Sequence, residues 1–468
     1  MRHSSKTEHK WWCILCLFIL WPGVASLRAQ EVTPCYENRF ERPLLDVMRE
    51  IEQHFGVRLK LDTTAMAGQM LTYADFRIRP YSFEETMQNV LSPVAYRYER
   101  QKKNTYKVKP YEYYRRTPAD GEKLIAWLHG KYHNRAEWEQ RRTLLLQDFR
   151  RLLGIDPLLE KSVASPRYVE GKVRKYDGYT VQNFALETLP GLYVCGSIYA
   201  PRKRGDHPLI MMPAGHWVGA RYNPDMQYRY AVLARAGAVC VSFDLVGWGE
   251  SEMQLGSASH THALAQPLQC LWGMKILDRM LSDRNDIDTT RIGVCGGSGG
   301  GTLSVFLTLL DDRYTAAAPV MSFTSHFDGG CPCESGMGTT RACGGTCNAE
   351  LAAIFAPKPM LVVSDGGDWT ASVPTLEYPF LQDIYGYYGA AEAVRNVHFP
   401  EERHQFTPTK RRAVYDFFID VFGLDARRCD ESRVTIETPE QLQMFGSAAS
   451  LPEGALRSWE ELMTTLSR

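Results

Sequence analysis

The chain has no surplus of charge: 54 Lys+Arg stand against 54 Asp+Glu. Without a field of one sign, nothing draws it to nucleic acid or to an anionic membrane surface. Charged residues at 23% and apolar residues at 44% are those of an ordinary globular protein. Apolar runs long enough to cross a bilayer are missing. The one conspicuous run, Trp11–Trp21, is short, follows Arg2, Lys6 and Lys10, and precedes PGVASLRAQ. It reads as a secretory signal peptide over residues 1–29, cleaved after Ala29. No cysteine stands behind it in a lipid-attachment setting, and Cys35 in VTPC is a poor fit. The expectation is export across the inner membrane to the periplasm or outer membrane of a Gram-negative cell, with no span left after cleavage.

Cysteine is present but does not spell a metal site. Of twelve, Cys13 and Cys16 fall in the signal segment, leaving ten. Cys195, Cys240 and Cys295 sit inside apolar, strand-like runs and are expected as buried thiols. Cys331, Cys333, Cys343 and Cys347 share a glycine-rich loop, but C-x-C followed later by C-x-x-x-C is not a standard zinc spacing. In an oxidising compartment disulfides are favoured over metal there, with the pairing open. Neither metal nor cofactor is expected.

What the chain does have is RIGVCGGSGGG (Arg291–Gly301), a β-prone run entering a glycine-packed turn, then the apolar helical run TLSVFLTLL. The turn satisfies G-x-S-x-G around Ser298, the pattern of a nucleophile elbow. A serine there sits on strained backbone, and flanking Cβ atoms would collide with the adjoining strand and helix. A phosphate-binding turn fits poorly, because neither G-x-G-x-x-G nor G-x-x-x-x-G-K-[ST] can be read there.

Along the chain the period changes twice. Residues 30–112 read as a separate α+β unit: helix RPLLDVMREIEQHFG, strand VRLKLD, strand FRIRP, helix SFEETMQNVL capped by Ser82 and Glu85, and hairpin YRYERQKKNTYKVKP. Residues 113–165 are polar and helix-prone, a bridging helix between units. From about 166, antiparallel strands (YVEGKVRKY, YTVQNFALET, LYVCGSIYAP) give way to strands alternating with helices. That alternation predicts an α/β fold, a mostly parallel sheet with helices on both faces, over residues 166–427. Ligands then bind at the carboxyl ends of the strands. Residues 428–468 read as an appendage with a short strand, RVTIET, and a closing helix.

A serine nucleophile needs a base and a carboxylate to orient it, following in the order Ser, Asp/Glu, His. After the strand Lys358–Val363 comes SDGGDWT, where Asp368 is the better placed acid and Asp365 the alternative, with turn-fixing as its other role. His404, in the loop after Arg395–Phe399, is the candidate base, ahead of His398 within the strand. Two donors should meet the oxyanion: the N–H of Gly299, and one from the AGHW loop at His216 or Trp217. His260 and His262 are not on one helical face and read weakly as metal ligands. Asp244, Gly247 and Gly249 read as structural residues of the loop beside the pocket.

With PAGHWVG, FDLVGWGES, VCGGSGGG, CPCE and APKPMLVVSDGGDWT, residues 166–427 resemble the α/β-hydrolase superfamily. They look closest to bacterial acetylxylan esterase-like carbohydrate esterases, relatives of the glucuronoyl esterases. The resemblance implies Ser298, His404 and Asp368 as a triad, no cofactor, and an O-acetylated plant-wall oligo- or polysaccharide as substrate. In some relatives the acid follows the preceding strand, which leaves Glu334 as an alternative. A glucuronoyl ester is the second substrate reading, with Arg341 and Arg403 as the available cations. Residues 30–112 resemble the short N-terminal domain of secretins and TonB-dependent receptors, implying an envelope protein partner. A catalytically inert binding or signalling protein is the competing reading.

Overall fold

A computed structural model describes residues 41–467, apart from 73, 92, 93, 95, 111–115, 218, 328, 330–333 and 335–337. The signal segment, Cys331 and Cys333 lie outside the described residues. In the first unit, helix α1 (Leu44–Phe55) buries Leu44, Val47, Met48 and Ile51 on one face and ends where Gly56 turns left-handed at φ +60°. It packs with α2 (Phe83–Leu91) around a core separate from the rest of the chain. Strand β1 (Glu41–Pro43) pairs with β3 (Met70–Thr72), while β2 (Arg58–Lys60), β5 (Thr105–Pro110) and β4 (Tyr96–Lys102) form a second sheet in that order. The strand expected at FRIRP is absent. Ala74–Arg77 is one helical turn, and the strand lies earlier, at β3. Phe76 and Ile78 at i, i+2 suit an alternating strand, but Arg79 is tied locally to Thr86 instead of to a ladder.

The expected bridging helix is three helices, α3 (Pro118–His129), α4 (Arg135–Leu153) and a short one at Ile155–Glu160. They do more than connect. Trp138, Leu145, Phe149 and Leu153 are fully buried against one face of the large sheet. Arg141 donates bidentately to the buried carboxylate of Glu350, Nε and Nη2 each at 2.9 Å.

The large sheet has ten strands. From β6 (Tyr168–Glu170), β7 (Arg174–Lys175), β8 (Tyr179–Leu189) and β9 (Leu192–Pro201) onward, β10 (His207–Met211), β11 (Val239–Phe243), β12 (Ile287–Gly297), β13 (Ala316–Val320), β14 (Met360–Asp365) and β15 (Val394–Phe399) follow. The order is 15-14-13-12-10-11-9-8-6, with β7 on β8. Strands β10 to β15 run parallel, and β6 to β9 antiparallel. In β10, Leu209 and Met211 face one helical layer while Ile210, and Met212 just beyond the strand, face the other, so both faces are apolar. Helices α5 (Pro224–Ala236) and α8 (Pro408–Phe422) cover one side; α6 (Ala265–Asp283) and α7 (Gly299–Leu310) cover the other.

RVTIET forms no strand. The backbone N–H groups of Thr435 and Glu437 donate instead to side chains, Tyr179 Oη (3.1 Å) and Gln227 Oε1 (2.8 Å). The closing helix, α9 (Trp459–Ser467), is present. Among the described residues no helix is long and apolar enough to cross a membrane.

Candidate active site

Ser298 joins β12 to α7 at φ +54°, ψ −125°, a region an L-residue occupies only when its surroundings impose it. Ser298 N–H donates to Val320 of β13 (2.9 Å), and its carbonyl accepts from Gly301 and Thr302 (2.8 and 3.0 Å). The glycines are needed for room: a Cβ on Gly297 would stand 2.8 Å from Phe406 and 2.9 Å from Trp217.

The loops after β14 and β15 converge on this serine. Ser298 Oγ lies 2.9 Å from His404 Nε2, and His404 Nδ1 lies 2.6 Å from Asp368 Oδ2. The other oxygen of Asp368 accepts from Thr370 N–H (2.6 Å) and Thr370 Oγ–H (2.5 Å). Burial would raise the Asp368 carboxyl, but the hydrogen bonds from His404 and Thr370 outweigh it and hold the group below its ordinary value. Asp368 is therefore an ionised acceptor that selects the Nδ1–H tautomer and leaves Nε2 for the serine. The imidazole has two indoles beside it, Trp217 nearly parallel at 5.9 Å and Trp369 at 4.3 Å between centroids.

Asp365, the alternative acid, is directed away. It is fully buried with Lys410, whose ammonium donates to Asp365 Oδ2 (2.5 Å) and to the carbonyls of Arg403 (2.6 Å) and Gln405 (3.1 Å). One lysine thus holds the backbone on both sides of His404. Its position on α8 shows no catalytic signature in the sequence, and neither do Thr370 and Trp369. Glu334, the other alternative, stands 3.6 Å from His216 Nδ1, whereas Asp368 occupies the Nδ1 side of His404. His398 contacts Ser364 Oγ at 2.9 Å, within the sheet edge.

Gly299 is the first residue of α7, where an N–H has no intrahelical acceptor. The 214–217 loop runs against it: a Cβ on Gly299 would be 2.9 Å from His216 Nδ1, and one on Gly300 would be 2.8 Å from the Ala214 carbonyl. His260 packs behind, its ring 4.8 Å from that of His216 and Nδ1 2.7 Å from the Val246 carbonyl. Arg341 and Arg403 are exposed.

Cys195, Asp244 and Glu250 lie close enough to one another to hold a cation. That cation is the buried guanidinium of Arg221, 2.7 Å from Asp244 and 3.2 Å from Glu250. Burial, opposed by Arg221, brings Asp244 up to about 6. Glu250 in turn accepts from the N–H groups of Met444, Phe445 and Gly446, and Arg221 donates to the Leu442 carbonyl. The cluster ties the C-terminal appendage to the loop after β11. Cys195, Cys240 and Cys295 are buried thiols with pKa values driven upward by burial. Cys343 carries a free thiol, so the expected disulfide does not include it.

No protein-family model matches the chain. Among solved structures, methylesterase BT1017 is 57% identical over 92% of this chain and 96% of its own, with a TM-score of 0.75. A glucuronoyl esterase from Teredinibacter turnerae T7901 (14% identity, 62% and 86% covered, TM-score 0.46) and an acetyl xylan esterase from Paenibacillus sp. R4 (17%, 58% and 93%, 0.41) are remoter likenesses. On the first of these likenesses, near full-length and far above chance identity, the chain belongs to the family of methylesterase BT1017 among the α/β-hydrolase carbohydrate esterases, and is a carboxylic ester hydrolase.

Proposed function

We propose that the protein hydrolyses methyl esters of uronic-acid residues in a plant-wall polysaccharide, with Ser298 as nucleophile, His404 as general base and Asp368 as the orienting acid. The observation that carries the chemistry is the relay from Ser298 Oγ to His404 Nε2 and from Nδ1 to Asp368, at 2.9 and 2.6 Å, on a left-handed elbow. The methyl ester is favoured over the acetyl ester because the 57% identical relative is a methylesterase.

His404 takes the hydroxyl proton as Ser298 Oγ attacks the ester carbonyl. The carbonyl oxygen becomes an oxyanion received by Gly299 N–H and by an N–H of the 214–217 loop. Collapse expels methoxide, which leaves as methanol with the proton from His404. Water, deprotonated by the same imidazole, then attacks the acyl-enzyme; collapse frees the uronic acid, which ionises to the uronate by losing its proton to solvent, and His404 returns its proton to Ser298. Asp368 keeps its charge throughout and stabilises the imidazolium that forms twice per turnover. The apolar segment preceding residue 30 supports export, which would bring the enzyme to such a polymer.

The test is product identity. Methyl-esterified pectin should release methanol, and acetylated xylan little acetate by comparison. Acetate release alone would move the substrate to the deacetylase reading. Release of neither would remove the carbohydrate substrate. Ser298→Ala should abolish turnover of every active ester, by about six orders of magnitude in kcat.

A further inference from the structure

Away from Ser298, a cavity of about 840 Å³ lies between the first unit and the body of the hydrolase. Its walls come from three stretches distant in sequence: α2 and β4, the segment 252–263, and residues 457–463 at the start of α9. Small-molecule sites typically measure about 300–1,000 Å³ and favour such junctions between units.

Aromatic surface lies inside. The rings of His262 and Trp459 meet at 4.5 Å between centroids, and Tyr98 of β4 shares the lining. His262 is open to water in the cavity, yet crowded on most sides. Burial first, and Arg97 second, push its pKa down to about 4, so at neutral pH it offers an uncharged ring with one donor and one acceptor. Around these rings stand three arginines and four glutamates. That near balance gives no field to select a polyanion, but supplies many donors and acceptors. Apolar ring faces set among mixed polar groups match a pyranose, whose C–H faces lie against aromatics while its hydroxyls reach sideways.

The chain that lines the cavity also runs on toward the catalytic centre. Its segment 252–263 includes His260, which packs against His216 and Trp248 beside the nucleophile.

We propose that this cavity is an accessory saccharide site that holds a stretch of the polysaccharide being de-esterified, at a distance from the bond being cut. The inference rests on the carbohydrate-ester reading above. It goes further by assigning the first unit and the C-terminal helix a share in substrate capture.

The test uses the full chain and two cavity variants. Trp459→Ala removes an aromatic face, and Ala258→Trp fills the space from an exposed lining position. In a Ser298→Ala background, retardation in gels carrying methyl-esterified pectin or xylan should weaken about tenfold in both, roughly 1.4 kcal/mol, through a lost stacking contact in Trp459→Ala and through occupied space in Ala258→Trp. With Ser298 present, KM for the polymer should rise about tenfold with kcat unchanged. Turnover of 4-nitrophenyl acetate should stay within about twofold of the parent, which shows that the fold is intact. Unchanged retardation in both variants, or no retardation of the parent, overturns the proposal. So does an equal loss on polymer and small ester. Failure of the parent reading shows separately, as absence of methanol and acetate release by the unmodified enzyme.

Discussion

Lys410→Met should expose how His404, the proposed base, is held. In the native protein both Lys410 and Asp365 are fully buried, and the ammonium spends its protons on Asp365 and on the carbonyls of Arg403 and Gln405. Removing it leaves Asp365 with the Gly367 N–H at 3.1 Å and takes a donor from both carbonyls flanking His404. Breaking a buried pair from one side costs about 3–5 kcal/mol, which at about 2–4 °C per kcal/mol lowers Tm by about 10 °C. The deficit carries a pH signature. Burial already raises the Asp365 carboxyl against the pull of Lys410, and without the lysine it rises further. A group whose folded pKa is raised lends stability that is full below its unfolded value and lost as pH rises through the folded value. The variant should therefore fall further behind the parent at pH 8 than at pH 5. The double variant Asp365→Asn/Lys410→Met should recover part of the loss, retaining about 1–3 kcal/mol for the unmatched carbonyls. Below its melting range, Lys410→Met should lose about 10² in kcat with KM unchanged, since a displaced base misaligns the proton transfer. Calorimetry at the two pH values and kinetics with a 4-nitrophenyl ester measure both. A Tm within a degree of the parent at both, or a double variant no more stable than the single, refutes the reasoning.

Gly299→Ala should reduce kcat by about 10²–10³ in steady-state assays, because the new Cβ would crowd His216 Nδ1 at 2.9 Å and Glu334 at 3.1 Å and disturb the oxyanion donors. Asp368→Asn should lose on the order of 10⁴ in kcat, by favouring the wrong tautomer of His404. Glu334→Gln should lose far less, and a reversed order in the same assay would restore Glu334 as the acid. His262 has its pKa depressed to about 4 from 6.5, so the unfolded chain takes up the proton first and stability falls as pH drops from 6.5 to 4. His262→Gln should flatten that limb of a Tm-against-pH curve; equal slopes would contradict the assignment.

The elbow was legible because its demands are local. Left-handed backbone at Ser298 and crowding at Gly297 leave few residues that fit, so the motif appears in consecutive letters. The parallel sheet was legible for a related reason: strands such as β10, apolar on both faces, stand out from the helices between them. Asp368 was separable from Asp365 by position after the strand. What separates them physically, Lys410, lies 45 residues away from Asp365 and looks like any charge on an amphipathic helix. Arg221 was hidden in the same way, since its partners Asp244 and Glu250 come from another loop. RVTIET misled because alternation signals only a suitable surface, and here side chains of Tyr179 and Gln227 meet the backbone where a strand would be needed. Residues 113–165 read as a connector because their helix is polar overall, yet four of its large apolar residues are fully buried.

The most direct measurement is covalent trapping. Treated with an organofluorophosphonate, the enzyme should take up one equivalent, and peptide mapping by mass spectrometry should place it on Ser298. Labelling should fail in Ser298→Ala and slow strongly in His404→Ala. An adduct on another residue, or steady ester hydrolysis by an enzyme that Ser298→Ala leaves unimpaired, would contradict a nucleophile at Ser298 served by His404 and Asp368.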